Sequence, residues 1–418
     1  MPSLEADPST ETDRGGSAIP WRSPTLLVIL ASSLVGVMGV SMISPVLPEL
    51  RSIFGVSDAQ IGLVITTYTL PGIFLTPFVG LVADRIGRRR VLVPLLFMFG
   101  IAGGAIAFVD SFVQVIVLRF VQGIGASALV TLSVTLIGDL YENPRQSAII
   151  GVNGSTIGIG AATYPLIGGS LAAIRWELPF LFFGCGILVG IVAAWALEEP
   201  TKQPTGDVRT YVRRLGAVAV LPEALAIFLA LFVAFFVFYG AVLTALPLLL
   251  NDEFGLTSER IGPLLSVVAV SMSVVSSQYG HVSRWRSPPA LVALGFVLFG
   301  ASLLGIWLAP SPVFVAVALL GFGVGFGITM PSIDTTLVGL VSDSLRAGTM
   351  GVRTSMLRLG QTLGPVGFTF TAERAFVTPV IGYRSLLLGV GVVVILAGSI
   401  AYVLARRRSL RRDGAESG

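Results

Sequence analysis

The residues that could carry covalent or metal chemistry are almost absent from this chain. It contains one cysteine, Cys185, and one histidine, His281, so neither an internal disulfide nor a Cys/His metal cluster can form. A Ser-His-acid catalytic set would have to use His281, which stands in a charged loop between two apolar segments. The residue types therefore predict a protein that is not an enzyme, with no metal site and no cofactor.

Charged side chains inside apolar segments are the second kind of chemically capable group. Arg119 lies within the apolar stretch 112–138, and Asp334 within 312–338. An ionisable residue in a membrane-spanning helix is costly to place there, so each is a functional hypothesis. We predict that Asp334 binds and releases a proton and that Arg119 also has a functional role. Two alternatives remain: Asp334 is solvated near a helix end, or Arg119 reaches the interface near Asp110.

A third group of charges fills the eleven-residue stretch 80–90, GLVADRIGRRR. Its glycines let the flanking helix ends approach each other closely. An acid followed by four arginines is costly to assemble beside a bilayer, so we predict that these charges fix a contact. The alternative is a basic loop that only sets membrane topology. The residues concerned are Gly80, Asp84, Arg85, Gly87, Arg88 and Arg89.

The elements that must position these side chains are strongly apolar. Hydrophobic residues make up 54% of the 418 residues and charged residues 12%, and the mean hydropathy is +0.88. Such a composition belongs in a bilayer, where long continuous apolar runs are helices. The segments long enough to cross about 30 Å of hydrocarbon are 24–48, 58–82, 90–109, 112–138, 146–172, 177–197, 224–250, 259–281, 288–309, 312–338, 346–372 and 383–405. We therefore predict an all-α integral membrane fold with twelve transmembrane helices.

The twelve segments form two sets of six that repeat after 200 residues. Without a gap, Phe54 and Pro165 align with Phe254 and Pro365. Parallel repeats in an apolar chain are typical of secondary transporters, whose substrate site lies between the halves near the membrane midplane. We predict two six-helix bundles related by a pseudo-two-fold axis along the membrane normal. The predicted units are a disordered cytoplasmic tail 1–23, a bundle 24–197, a cytoplasmic linker 198–222, a bundle 223–405 and a basic cytoplasmic tail 406–418.

The basic residues predict the orientation of the chain in the membrane. With both termini in the cytoplasm, nineteen of the 27 Lys and Arg residues face that side and five face the opposite side. Basic residues in short loops stay cytoplasmic, so this bias predicts both termini inside a multi-pass plasma-membrane protein. The net charge of +4 then reflects this rule and attraction to anionic lipid, and it indicates no nucleic-acid partner.

The 80–90 stretch closely resembles the loop between helices 2 and 3 of the major facilitator superfamily. The twelve segments and the repeat extend this resemblance to the whole chain. It implies a transporter in which Asp84 locks the cytoplasmic gate against the start of helix 11, around 347–353. The stretch 118–126 is similar to the family's helix-4 motif, whose arginine, here Arg119, is implicated in proton coupling. In the equivalent loop of the second half, Arg284 replaces the acid, so we expect the two gates to differ in energy.

Helix 5 resembles the motif that marks the drug:proton antiporter branch of the superfamily. The motif residues are Gly160, Tyr164, Pro165, Gly168 and Gly169, and the second copy in helix 11 has Gly360, Gly364 and Pro365. Tyr164 stands where the family motif has a glycine, and we expect it either to alter the packing or to enter the cavity. The resemblance implies multidrug efflux coupled to protons. The alternative for both copies is an ordinary proline kink.

Polar and aromatic interruptions of the apolar segments predict the wall of a central cavity. The candidates are Tyr68, Asn153, Phe235, Phe238, Tyr239, Gln278 and Met330. An aromatic wall with few fixed charges predicts a lipophilic small-molecule substrate, uncharged or cationic. Two other functions stay open, a metabolite or sugar symporter on the same fold and a non-transporting membrane sensor. The expected partners are the substrate and membrane lipid, and the expected functional unit is a monomer.

Overall fold

The computed structural model of the protein describes residues 19–199, 222–340 and 343–416. The first half contains the helices α1 (Pro24–Phe54), α2 (Asp58–Ile86), α3 (Arg88–Phe108), α4 (Phe112–Leu140), α5 (Asn143–Ile174) and α6 (Leu178–Ala196). The second half contains α7 (Ala224–Phe254), α8 (Ser258–Ser277), α9 (Pro288–Leu308), α10 (Pro312–Leu340), α11 (Asp343–Ala375) and α12 (Pro379–Glu416). No strand occurs within these described ranges.

Eleven of the described helices have the length and apolar composition needed to cross a membrane. The remaining one, α11, is 33 residues long but carries several charges, including Arg353, Arg358 and Glu373. The predicted all-α membrane fold of two helical bundles is confirmed, and α11 is the spanning helix whose charge sets it apart.

The predicted tails and linker lie mostly outside the described residues, which omit 1–18, 200–221, 341–342 and 417–418. At the C-terminus, the basic tail predicted from residue 406 continues α12 as far as Glu416.

The two halves begin and end their helices with equivalent residues. Gly55 ends α1 with φ +58°, and Gly255 ends α7 with φ +63°, so both turns use the left-handed conformation that glycine adopts at little cost. The next helix then starts two or three residues later. At α2, a capping box joins Ser57 to Gln60 and satisfies the first free backbone N–H groups.

The halves contact each other along two helix pairs that the repeat makes equivalent, α2 with α11 and α5 with α8. A Cβ added to Gly62 of α2 would lie 2.3 Å from Thr369 Oγ1 of α11. A Cβ added to Gly169 of α5 would lie 2.3 Å from the Ser258 carbonyl oxygen of α8. Small residues therefore bring the helices of the two halves into backbone contact.

Helices α1 and α7 are irregular at equivalent positions. In α1 a 3₁₀ segment covers Ser44–Val46, and in α7 a π-helical segment covers Phe238–Ala245. The two irregular segments meet, because the Ser44 hydroxyl donates to the Leu243 carbonyl at 2.5 Å. Interrupted helices at corresponding positions of two repeats are the best structural pointer to a transporter's binding site.

Candidate functional site

The bundle is closed at one end. We call this the Asp58 end; it carries the α1–α2, α7–α8 and α11–α12 connections. Arg51 of the first half donates to Asp58 at 2.5 Å and, across the interface, to Asp252 at 2.9 Å. The Tyr383 hydroxyl of the second half donates to Asp58 at 2.7 Å, and Asp58 is 5% exposed. These bonds tie the halves together around a nearly buried carboxylate.

Further contacts between the halves surround this network. The Ser258 hydroxyl donates to Glu49 at 3.1 Å, and the Ala59 backbone N–H donates to Glu373 at 2.6 Å. Asp58 and Ser258 begin α2 and α8, so equivalent positions of the repeat take part on both sides of the interface. The pseudo-symmetry therefore brings the start of α2 against the second half and the start of α8 against the first half.

The opposite end carries the α2–α3 and α10–α11 connections; we call it the Asp84 end. A Cβ added to Gly80 of α2, Gly154 of α5 or Gly339 of α10 would meet no atom within 4 Å. Phe74 of α2 is 65% exposed. Among the described residues, the tight contacts between the halves therefore do not extend along α2 and α5 as far as the Asp84 end.

The 80–90 loop is bound to its own half in this arrangement. Arg88 pairs with Asp84 and, at 3.1 Å, with Asp139 of α4. Gly87, at φ +111°, ends α2, and a Cβ there would collide with the Glu199 carboxylate after α6. The predicted contact of Asp84 with the start of α11 belongs to a closed Asp84 end, so it stays a prediction for that state.

The structure places Asp334 in an ion pair. Arg353 of α11 binds it with two guanidinium nitrogens. Nε donates to Asp334 Oδ1 at 2.5 Å, and Nη2 donates to Asp334 Oδ2 at 3.0 Å. The Asp334 side chain is 44% exposed, so it is less interior than the sequence prediction had it. Its ion-pair partner is Arg353 rather than Arg119.

Arg119 is fully buried in the first half. Its guanidinium donates to Val64 O at 3.1 Å, to Gln122 Oε1 at 2.8 Å and to Gly39 O at 2.9 Å. The Tyr68 ring lies 4.3 Å below it. These contacts join α1, α2 and α4, so Arg119 does not reach towards the interface near Asp110.

A second arginine, Arg358 of α11, lies where the halves separate. It donates to Gln361 Oε1 at 3.1 Å and, across the interface, to Ser127 O at 3.3 Å, where α4 is interrupted. Gln361 in turn donates to the Tyr239 hydroxyl at 2.9 Å. A Cβ added to Gly72 of α2 would lie 3.1 Å from the Arg358 side chain. This polar cluster was not predicted.

The predicted cavity residues divide into three groups. Phe235, Phe238 and Tyr239 of α7 form an aromatic cluster with Phe326, in which Phe235 and Phe238 lie 5.4 Å and 5.0 Å from the Phe326 ring. Met330 packs beside the same cluster. In contrast, Tyr68 and Asn153 are buried within the first half, and Gln278 is exposed at the end of α8.

The two glycine–proline motifs pack closely against neighbouring helices. In α5, Gly168 faces the Met42 carbonyl of α1, and Gly169 faces α8 of the other half. Tyr164 is buried and lies over Gly160 of its own helix. In α11, a Cβ on Gly360 or Gly364 would lie within 2.5 Å of a backbone carbonyl of α7. The motifs therefore position α1 and α7, the two interrupted helices.

The described helices form two bundles that hydrogen bonds and ion pairs tie together at the Asp58 end. The family model of the Major Facilitator Superfamily matches residues 29–365. The chain belongs to the Major Facilitator Superfamily. It is 26% identical over 366 residues to the bacillibactin exporter of Bacillus subtilis, covering 84% of this chain and 90% of that protein. It is 28% identical to a chloramphenicol resistance protein of Pseudomonas aeruginosa, covering 74% and 76% of the two chains.

Solved structures of other superfamily transporters share the fold. A bacterial homologue of the human lysosomal transporter Spinster, in an inward-facing and unoccupied conformation, superposes with a TM-score of 0.79 at 19% identity, over 93% of this chain and 98% of that one. A D-xylose–proton symporter superposes with a TM-score of 0.75 at 14% identity, over 91% and 97%. At these identities the likeness concerns the fold alone.

Sequence reasoning missed the Arg51–Asp58–Asp252 network and the Arg358 cluster. Asp58 stands at a helix start, where an acid has an ordinary capping role, so its type gave no reason to expect an ion pair between the halves. Arg358 had a usable signal, because it lies near the middle of an apolar segment as Arg119 does.

Proposed function

We propose that this superfamily member exports lipophilic small molecules in exchange for protons by alternating access. The observation that carries the proposal is that bonds between the halves close the Asp58 end, whereas their described contacts stop short of the Asp84 end. We take the space between the halves as a substrate cavity that opens to the Asp84 end. Relatives named as a bacillibactin exporter, a chloramphenicol resistance protein and a multidrug resistance protein support export over uptake.

The arginine bias assigns the open end to the cytoplasm. The Asp84 loop holds four arginines, whereas the loops of the Asp58 end are poor in basic residues. The open cavity is then the state that loads substrate from the cytoplasm or the inner leaflet. Export requires that the Asp58 network break while the Asp84 loop closes against α11. We place the protein in the plasma membrane as a monomer, without a cofactor.

Asp334 is the carboxylate that we assign to proton exchange. It lies on α10, faces the open cavity and holds Arg353 of α11 through two bonds. Protonation of Asp334 removes its charge and so releases Arg353, which changes the electrostatics between α10 and α11. A proton that reaches the cavity therefore has a direct effect on the helix that lines the interface with α2.

Transport in inside-out vesicles tests the proposal. The vesicles come from cells that lack their own pumps, are acidified inside and receive a panel of anionic, neutral and cationic lipophilic dyes. We expect at least one dye to accumulate and an uncoupler to abolish the accumulation. Asp334→Asn should reduce the gradient-driven rate to the background of empty vesicles, because its side chain binds no proton.

The matched control is Asp110→Asn, which removes an exposed acid at the Asp58 end and should leave the rate unchanged. If no dye accumulates while a sugar or metabolite enters right-side-out vesicles with protons, the symporter alternative replaces export. If dyes accumulate equally with and without the gradient, or in the Asp334→Asn variant, proton exchange at Asp334 is wrong.

A further inference from the structure

The two arginines at the centre of the bundle differ in how completely they are bound. Arg119 is 0% exposed, and each of its three guanidinium nitrogens donates to an oxygen at 2.8–3.1 Å. Arg358 is partly exposed, its two bonds are longer, and its Nε is buried beside Gly72 without a hydrogen-bond partner. All three guanidinium nitrogens of Arg119 are therefore bound within the first half, whereas Arg358 is bound less completely.

No carboxylate neutralises Arg358 among the side chains that the structure describes. Asp334, an acid on the neighbouring α10, is already engaged at both oxygens by Arg353. A guanidinium inside a spanning bundle normally pairs with an acid or marks the path of a charged ligand. The charge of Arg358 is therefore one that an anionic ligand can balance.

The groups beside Arg358 present further donors to such a molecule. Because a guanidinium only donates, Gln361 turns its oxygen to Arg358 and its amide N–H to the Tyr239 hydroxyl. Tyr239 accepts this bond and keeps its own hydrogen for another acceptor. The two bonds of Arg358 use one N–H on each terminal guanidinium nitrogen, so the second N–H of each and the Tyr239 O–H are the donors left for a ligand.

An aromatic wall continues from these donors. The Phe235 and Phe238 rings lie 6.1 Å and 5.7 Å from the Tyr239 ring, and both contact Phe326. A ligand that satisfies both surfaces has an anionic oxygen group at one end and a flat apolar body at the other.

We propose that the cavity binds amphipathic aromatic anions, with the anionic group held by Arg358 and Tyr239 and the ring against Phe235 and Phe238. This inference rests on the proposed export function and specifies its substrate class. It departs from the uncharged or cationic substrates expected from the sequence, because that expectation did not include Arg358. A membrane potential that is negative inside also favours the exit of an anion.

Three ligands with the same ring separate charge from shape: 2-naphthoate, neutral 2-naphthamide and cationic 2-naphthylmethylammonium. Binding to the purified full-length protein is measured by calorimetry at neutral pH. We expect 2-naphthoate to bind about tenfold or more tightly than the other two, because its carboxylate adds charge-assisted hydrogen bonds. The inference is wrong if the amide or the ammonium binds as tightly as the carboxylate.

Substitutions locate the preference. Arg358→Gln should weaken 2-naphthoate binding about tenfold and leave 2-naphthamide binding within about twofold, whereas Arg358→Lys should keep part of the preference. Tyr239→Phe preserves the ring and should cost the anion about threefold to tenfold through the lost donor. If Arg358→Gln fails to fold, Tyr239→Phe tests whether the anion preference depends on this site. An anion preference that survives both Arg358→Lys and Tyr239→Phe unchanged overturns the proposed site.

The binding assay and the vesicle assay fail independently. Transport of neutral or cationic dyes without any preference for 2-naphthoate would remove this inference and leave proton-coupled export intact. Arg358-dependent binding of 2-naphthoate, with no gradient-driven transport of any probe, would remove export and keep the anion site.

Discussion

The Asp58 end and the Asp84 end are built from loops of one repeat, yet they hold their charges differently. At the Asp58 end the decisive ion pair joins the two halves, Arg51 to Asp252. At the Asp84 end the ion pair stays within one half, Asp84 to Arg88. Both ends are rich in charge, and only one of them is closed.

This difference shows that the number of ion pairs at an end does not decide whether it closes. A pair within one half moves with that half, so it opposes no separation. A pair between the halves has to break when they rock apart, and when it is partly buried the cost is large. The free energy that holds the Asp58 end shut is therefore concentrated in the network around Asp58.

The largest effect is expected from Asp58→Asn. The substitution removes a nearly buried carboxylate that accepts the Tyr383 hydroxyl across the interface and holds Arg51, which pairs with Asp252 of the other half. A hydrogen bond to a charged group contributes about 1.5–3 kcal/mol, enough to shift a two-state equilibrium by a factor of about 10–100. Double electron–electron resonance between spin labels on Ser111→Cys and Ser311→Cys, in a Cys185→Ser background, should show the Asp58 end opening.

Tyr383→Phe provides a graded comparison, because it removes one of the bonds to Asp58 and keeps its charge pair with Arg51. We expect a shift of about 1 kcal/mol. Asp110→Asn is the control on the same face and should leave the distance distribution unchanged. Unchanged distances in Asp58→Asn would show that packing, rather than this network, closes the Asp58 end.

A smaller effect is expected from Asp84→Asn, and only in the state with a closed Asp84 end. In the open state Asp84 binds Arg88 of its own half, and Arg88 keeps Asp139 when Asp84 is neutral. If Asp84 also binds the start of α11 on closure, its loss should disfavour the closed Asp84 end by about 1–2 kcal/mol. Adding Asp84→Asn to Asp58→Asn should therefore partly reverse the opening of the Asp58 end. No reversal would mean that Asp84 acts only within its half.

The fold was predictable from the sequence because the bilayer and the 200-residue repeat each constrain it strongly. Apolar segments of about 20 residues leave few alternatives to spanning helices, and the alignment of Phe54 with Phe254 gives the two halves. The length of α12 was not predictable in the same way. A hydropathy pattern marks the end of an apolar segment where charged residues begin. The helix α12 itself continues beyond Val403 to Glu416.

The candidate site was only partly predictable. The aromatic residues Phe235, Phe238 and Tyr239 were found, because large rings on one face of an apolar helix have few other reasons to occur together. The partner of Asp334 was not found, since Asp334 and Arg353 lie on different helices and no local sequence pattern reports a contact between them. The contact between Asp58 and Tyr383 joins residues 325 positions apart and depends on how the halves dock.

The smallest effect is expected from Arg284→Ala in the α8–α9 loop, the second copy of the Asp84 loop. Arg284 is exposed and stands where the first copy has its acid, so it has no equivalent of the Asp84–Arg88 pair. Surface substitutions of this kind stay within about 0.5 kcal/mol of the wild type. The Ser111–Ser311 label distances should therefore be unchanged in Arg284→Ala. Equal shifts in Arg284→Ala and Asp84→Asn would mean that the two loops gate the cavity alike, and that the repeat kept its symmetry at the Asp84 end.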